Sequence, residues 1–270
     1  MSREPSSTRA VSARSCLLAL GWIGITVALF GIGQFVVHSH AVTDFDRHVT
    51  AWVVDRRTPA LDTTMRALTW IGSWVGVAVT GGVLLALTTT KRLRTAALAV
   101  FAVAWAGEYA MVNLVKHAVD RPRPPEVLRL VPVHSSSFPS GHAANVTLVA
   151  VTATVVAFVL SRRRPVRAVT AAVACLTVAV VGFSRVELGV HWTTDVLAGV
   201  LVVLVWSAAV LGLLGPLVAP GVPGSGRDDP GATGPPSDGP VMATGVSNRA
   251  PTVRSTGVRR GTADGEGGRP

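Results

Sequence analysis

Charge is scarce in this sequence. Only 15% of its 270 residues are Asp, Glu, Lys or Arg, while 49% are hydrophobic, against roughly a quarter charged in soluble domains. That shortage excludes an ordinary soluble globule and makes the bilayer the expected solvent. Lysine is almost missing, since Lys91 and Lys116 are the only two in the chain. Cysteine occurs at Cys16 and Cys175 alone, in different apolar runs. Neither matches a metal-ligand or redox spacing, so no structural disulfide and no zinc site are expected. Also lacking is any basic nucleic-acid-binding module. The net charge of +10 comes from short clusters between apolar runs, where basic residues act as topology determinants, and no nucleic-acid partner is expected.

What the chain does have is long apolar runs. A hydrocarbon core of about 30 Å needs about 20 apolar residues in a helix. Six such runs occur: Ser15 to Val37, Leu68 to Thr89, Thr95 to Leu114, Ala143 to Leu160, Ala168 to Phe183 and Thr194 to Val218. The expected fold class is therefore all-α, an integral membrane bundle of about six transmembrane helices. Its expected divisions are a cytoplasmic N-terminal segment (1–14), a six-helix membrane domain (15–218) and a disordered cytoplasmic tail (219–270). The tail is rich in Gly, Pro, Ser and Thr and lacks apolar periodicity, so it cannot bury enough surface to offset the entropy of ordering. A signal peptide ending near Ser39-His40-Ala41 is a competing reading of the first run, but a run of about 22 residues is long for one.

Orientation follows the basic clusters. Arg3, Arg9 and Arg14 precede the first run, Lys91, Arg92 and Arg94 follow the second, and Arg162, Arg163, Arg164 and Arg167 follow the fourth. Placing all three in the cytoplasm sends 38–67, 115–142 and 184–193 outward. Trp52, Trp70, Trp74 and Trp192 lie in or near those outer ends, as an interfacial belt requires. Arg47, Arg56, Arg57 and Arg66 sit on the wrong side of this rule.

The outer segments hold the chemistry. Lys116, Arg121 and Arg123 mark the end of the third run, Pro139-Ser140-Gly141-His142 opens the fourth, and Ser184-Arg185, His191 and Asp195 lead into the sixth. Two crossings separate His142 from Ser184, so topology alone returns these elements to one face. A phosphate dianion suits them. Arginine supplies paired N–H donors and lysine a point charge. A helix opening at Gly141 offers unpaired amides, and the missing Cβ allows close approach. His191 and Asp195, spaced i and i+4, are expected on one helical face, with the carboxylate holding the imidazole tautomer. Each part has a bland explanation. Pro-Ser-Gly is a common helix start, His191 with Asp195 could be an interfacial pair, and Lys116 with the arginines could anchor headgroups. Three anion-friendly clusters on one face are hard to explain by anchoring.

Taken together, Lys116 with Arg123-Pro124, then Pro139 to His142, then Ser184-Arg185 with His191 and Asp195, resemble the three-part signature of the type 2 phosphatidic acid phosphatase, or lipid phosphate phosphatase, superfamily. Every fixed position of Lys-x6-Arg-Pro, Pro-Ser-Gly-His and Ser-Arg-x5-His-x3-Asp is present. The resemblance implies an enzyme that hydrolyses lipid phosphates or pyrophosphates without a metal or other cofactor. It implies His191 as nucleophile, Asp195 as its orienting acid and His142 as general acid. Lys116, Arg123, Arg185, Ser140 and the Gly141 backbone would cradle the phosphate.

Two residues are accessory candidates. Arg121 sits in Arg121-Pro122-Arg123-Pro124, where proline disfavours helix and would turn the chain out of the third run, and it reads as a headgroup contact or more readily as a solvated arginine. Glu108 lies deep in the third run, where a carboxylate is a functional candidate by default; a structural hydrogen bond near Tyr109 or Asn113 explains it equally well. Trp105 and Trp206 are expected to pack. Polyprenyl pyrophosphate is the first expected substrate, followed by phosphatidic acid or phosphatidylglycerophosphate. Membrane lipids are the expected surroundings. A vanadate-dependent haloperoxidase shares such a site but not the six runs, and a silent lipid-phosphate binder or a transporter is the non-enzymatic alternative.

Overall fold

A computed structural model describes residues 6–218, with side chains from Ser12 onward; the expected tail lies outside the described residues. Its elements are α1 (Ser6–His38), α2 (His40–Val54), α3 (Pro59–Leu68), α4 (Trp74–Thr89), α5 (Ala96–Val119), α6 (Gly141–Leu160), α7 (Arg164–Glu187) and α8 (Thr193–Val218). Single 3-10 turns occur at Thr69–Gly72 and Glu126–Leu128. No strand occurs among the described residues.

Five helices are long and apolar enough to cross a bilayer: Ser12–His38, Ala96–Val119, Gly141–Leu160, Arg164–Glu187 and Thr193–Val218. A sixth crossing is made only by counting Pro59–Gly72 and Trp74–Thr89 together, across a 47° bend. The second apolar run is thus not one straight helix. Ser73 breaks it, with an extended backbone (ψ 178°) and a side chain that accepts a hydrogen bond from Val75 N. α1, α5 and α7 extend beyond their apolar stretches, to Ser6–His38, Ala96–Val119 and Arg164–Glu187.

α6 packs between α7 and α8, and α8 in turn packs on α1 and α5. Met111, Val115, Leu148, Val203 and Trp206 fill the space between them. Tryptophan inside a bundle needs a partner for its N–H. Trp206 Nε1 donates to Ala104 O at 2.9 Å and Trp22 Nε1 to Gly107 O at 2.8 Å. Trp105 instead lies at the periphery beside Tyr109. Outward-facing Leu20, Val27, Phe35, Val169, Leu176 and Leu201 are more than half exposed, the surface a lipid environment requires, and the chain is a multi-pass membrane protein.

α2 and α3 pack on the end of the bundle where α5 stops and α6 starts, α2 touching α7 and α8, and α3 touching α7. Thr58 caps α3 through Leu61 N, with Pro59 in its first turn, where a missing N–H costs nothing. On α2, Asp46, Thr50 and Val53 share the buried face, while Phe45 and Trp52 point away.

Candidate active site

α5 carries Lys116 in its last turn and ends at Asp120, whose φ of 45° and ψ of 44° are left-handed. Aspartate tolerates this conformation better than most residues. The reversal turns Arg121 inward, to 4% exposure, and Pro122 outward. Arg121 is therefore not the solvated arginine expected from the Arg121-Pro122-Arg123-Pro124 run. Its Nη1 donates to Asp195 Oδ1 at 2.5 Å and to Thr194 Oγ1 at 2.9 Å, and its Nη2 donates to Asp46 Oδ2 at 2.8 Å.

The loop before α6 pins the other two cations of this segment. Lys116 Nζ donates to Ser136 O at 2.8 Å. Arg123 Nε donates to Ser135 O at 2.5 Å, and Nη2 to Ser135 Oγ at 3.1 Å and Ser136 O at 3.2 Å. Ser136 Oγ donates to Asp120 Oδ1 at 2.7 Å. One short serine run thus sets the spacing of Lys116 and Arg123. Burial lowers the Arg123 guanidinium to about 10, with Asp195 opposing that shift, so the group stays cationic at neutral pH.

Ser140 is the N-cap of α6, so Gly141 and His142 stand in its first turn with amides that have no partner inside the helix. Ser140 N donates to Asp195 O at 3.0 Å, tying the start of α6 to the start of α8. That approach needs Gly199, where a Cβ would lie 2.5 Å from Ser140 O. Ser140 Oγ and Arg185 Nε are both buried without a hydrogen-bond partner. A ligand rich in acceptor oxygens would satisfy both. Arg185, 3% exposed, is held at its other end by Thr69, whose Oγ1 accepts from Nη1 at 2.7 Å. Ser184, by contrast, donates to Val181 O in its own helix and does not address the site.

His191 and Asp195 come together, but not on one helical face. α8 begins at Thr193, so His191 precedes it and only Asp195 is helical. Asp195 reaches back, its Oδ2 accepting from Trp192 N at 2.9 Å, as the third residue of a capping box does. The same oxygen lies 3.5 Å from His191 Nδ1. On the far edge of the ring, Arg123 Nη1 lies 3.1 Å from Nε2. A guanidinium can only donate, so Nε2 accepts and carries the lone pair. The ring proton is therefore on Nδ1, facing Asp195. Burial, then the charges of Arg123, Lys116 and Arg185 and the neighbouring His142, hold the His191 pKa well below 6.5. The ring is neutral at pH 7, with the Nε2 lone pair directed among cations and held by Arg123.

Lys116, Arg123, His142, Arg185 and His191 are thus gathered as the sequence leads one to expect, with Ser140 and Gly141 at the adjoining helix start. Glu108 is not part of this group. It lies eight residues before Lys116, about 12 Å along α5, buried with no hydrogen-bond partner for Oε2. Asn113 bonds to Tyr109 O instead of to Glu108. Among the described residues no three His, Cys, Asp or Glu side chains form a metal-ligand group.

Three features of the site escaped the sequence reading. Asp46 is fully buried against Arg121 and Thr194. Thr69 positions Arg185. Arg57, an exception to the charge rule, braces the loop before His191 by donating to Leu128 O at 2.9 Å and to Glu187 O. Beside it Gly189 has φ 68°, and a Cβ there would lie 2.2 Å from Leu128 O, so only glycine fits.

Residues 95–215 match the PAP2 superfamily. The chain is 32% identical over 173 residues to phosphatidylglycerophosphatase B of Bacillus subtilis (strain 168), covering 60% of this chain and 80% of that protein. The crystal structure of a transmembrane PAP2-type phosphatidylglycerolphosphate phosphatase from Bacillus subtilis superposes with a TM-score of 0.59 at 27% identity, covering 71% of this chain and 96% of that one. Aquifex aeolicus LpxE shares the fold, with a TM-score of 0.50 at 22% identity over 61% of this chain and 93% of its own. With its three motif segments meeting around His191 and four-fifths of a curated relative covered, the chain belongs to the PAP2 superfamily and is a phosphatase.

Proposed function

We propose that this chain hydrolyses lipid phosphates through a phosphohistidine formed on His191. The observation that carries the reading is the placement of the ring, with Arg123 Nη1 3.1 Å from Nε2 and Asp195 Oδ2 3.5 Å from Nδ1, which favours the lone pair on Nε2 and the proton on Nδ1. In the first step Nε2 attacks the terminal phosphorus and its bond to the leaving oxygen breaks, an oxygen of the lipid alcohol in a monophosphate and of the lipid monophosphate in a pyrophosphate. His142 gives that oxygen its proton. In the second step water attacks the phosphohistidine, His142 takes a proton from it, and orthophosphate leaves. Lys116, Arg123 and Arg185, with Ser140 and the amides opening α6, hold the three phosphoryl oxygens and spread their charge. Charge stabilisation of this kind is the work a metal ion would otherwise do.

Two substrates lead. Polyprenyl pyrophosphate is the expectation from sequence, and the likeness to a Bacillus phosphatidylglycerophosphatase favours phosphatidylglycerophosphate. The cradle binds the phosphate common to both. We place the site outside the cell, both termini in the cytoplasm, residues 15–218 as the phosphatase domain and 219–270 as a separate tail. Phosphate release by the purified chain in detergent, across polyprenyl, glycerolipid and soluble phosphates, tests the reading. Activity on lipid phosphates that survives chelators and is blocked by vanadate is expected; no release from any of them overturns it. Cysteines placed at Leu128 and Arg164 should label from opposite sides with an impermeant reagent, and equal labelling from outside overturns the orientation.

A further inference from the structure

Asp195 is not alone behind His191. Its Oδ1 accepts from Arg121 Nη1 at 2.5 Å, and the other arm of the same guanidinium donates to Asp46 Oδ2 at 2.8 Å. Arg121 is 4% exposed and both carboxylates are fully buried. Asp46 is itself fixed to α8, because Oδ1 accepts from Thr194 N at 3.0 Å and Oδ2 from Thr194 Oγ1 at 2.5 Å. None of this contact set belongs to the three motifs except Asp195.

We propose that Asp46 and Arg121 are positioning residues for His191, acting through Asp195: Arg121 fixes the carboxylate and Asp46 prevents Arg121 from neutralising it. This rests on the reading of His191 as nucleophile. The positioning is geometric. With Oδ1 held by Arg121 and Oδ2 held by Trp192 N at 2.9 Å, the carboxylate cannot rotate, and Oδ2 stays 3.5 Å from the Nδ1 it must support.

The balance is electrostatic. A phosphohistidine carries positive charge on the ring as it forms, and a carboxylate at Nδ1 stabilises that charge only while it remains effectively negative. One guanidinium paired with one buried carboxylate gives a neutral couple. One guanidinium shared by two carboxylates gives a group with net charge −1. Asp46 thus leaves a negative charge beside His191, where Lys116, Arg123 and Arg185 all disfavour the ring cation. A role for Asp46 confined to capping α8 would need only its contact with Thr194, which an asparagine can also make. It would not need the contact with Arg121.

Asp46→Asn separates the two roles, since it keeps an acceptor for Thr194 N and removes the charge. The full-length chain in detergent would be assayed with a short-chain phosphatidic acid, counting active sites by vanadate titration. Expected for D46N is a fall of kcat per titrated site of about ten- to a hundredfold, with KM within about threefold of wild type and the number of sites unchanged. Asp46→Glu, which keeps the charge, should recover part of that loss. A kcat per site within about threefold of wild type, or a fall explained by lost sites or by KM, would falsify the proposal. If D46N does not fold, Arg121→Lys is read by the same criteria, because lysine keeps the charge but cannot reach both carboxylates as a fork. An inactive wild type, or a His191→Ala variant as active as wild type, overturns the nucleophile reading itself and is distinct from either result.

Discussion

Thr69 Oγ1 accepts a hydrogen bond from Arg185 Nη1 at 2.7 Å, so a hydroxyl in the 3-10 turn before α4 aims a cation carried at the far end of α7. Arg185 Nε, buried and without a partner, is left to address a phosphoryl oxygen, as is Nη2. A hydrogen bond to a charged group contributes about 1.5–3 kcal/mol, and about 1.4 kcal/mol is tenfold in rate. Thr69→Val should therefore lower kcat/KM about tenfold or more while the protein stays folded, and Thr69→Ser should restore most of it. Equal activity of the valine variant would show that helix packing alone places Arg185.

The protonation of His191 gives a pH prediction of definite sign. Burial first, and then Arg123, Lys116, Arg185 and His142, depress its pKa well below 6.5. A depressed pKa keeps the ring neutral at pH 6.5 and further into acid, so protonation of the nucleophile sets in only below that value. Nitrogen NMR of the imidazole, assigned by the signal lost in His191→Ala, should show the midpoint below 6.5. Arg123→Met removes the largest charge acting against the ring cation and should move that midpoint upward. A wild-type midpoint at or above 6.5, or a downward move in the variant, contradicts the electrostatic account.

Leaving-group dependence separates the two histidines. His191→Ala removes the nucleophile and should abolish turnover of every substrate. His142→Ala removes a proton donor, an effect of about 10² to 10⁴ in rate, and that loss should shrink when the departing oxygen is already weakly basic. Kinetics on p-nitrophenyl phosphate and on an alkyl lipid phosphate would be compared for each variant. Parallel behaviour of the two would show that their roles are misassigned.

The residues gathered around His191 were legible in the sequence because spacing and topology both act on short segments. Lys116 and Arg123 flank one helix end, Ser140 to His142 open another, and each apolar crossing between them is long enough to count. Asp46 was hidden by a different kind of pattern. Val42, Val49 and Val53 mark an apolar stripe on α2, and Asp46 falls within it; an acid on the apolar side of an amphipathic helix is the signal that could have found it. Arg121 was misread because Pro122 and Pro124 suggest a chain leaving the bundle. The left-handed Asp120 reverses the chain first, and no composition rule indicates which way the next side chain then turns. The break at Ser73 was equally invisible, since Leu68 to Thr89 is apolar on both sides of it.

The cation cradle also affects what happens after chemistry. Lys116, Arg123 and Arg185 surround His191, and on the proposed mechanism their contacts are with phosphoryl oxygens. Orthophosphate offers those oxygens without the lipid. The released product is then a competitor of the substrate, and what distinguishes the two is the apolar chain lying outside the cradle. Turnover would be throttled by the phosphate concentration on the side of the membrane that the cradle faces, as a rise in apparent KM with kcat unchanged.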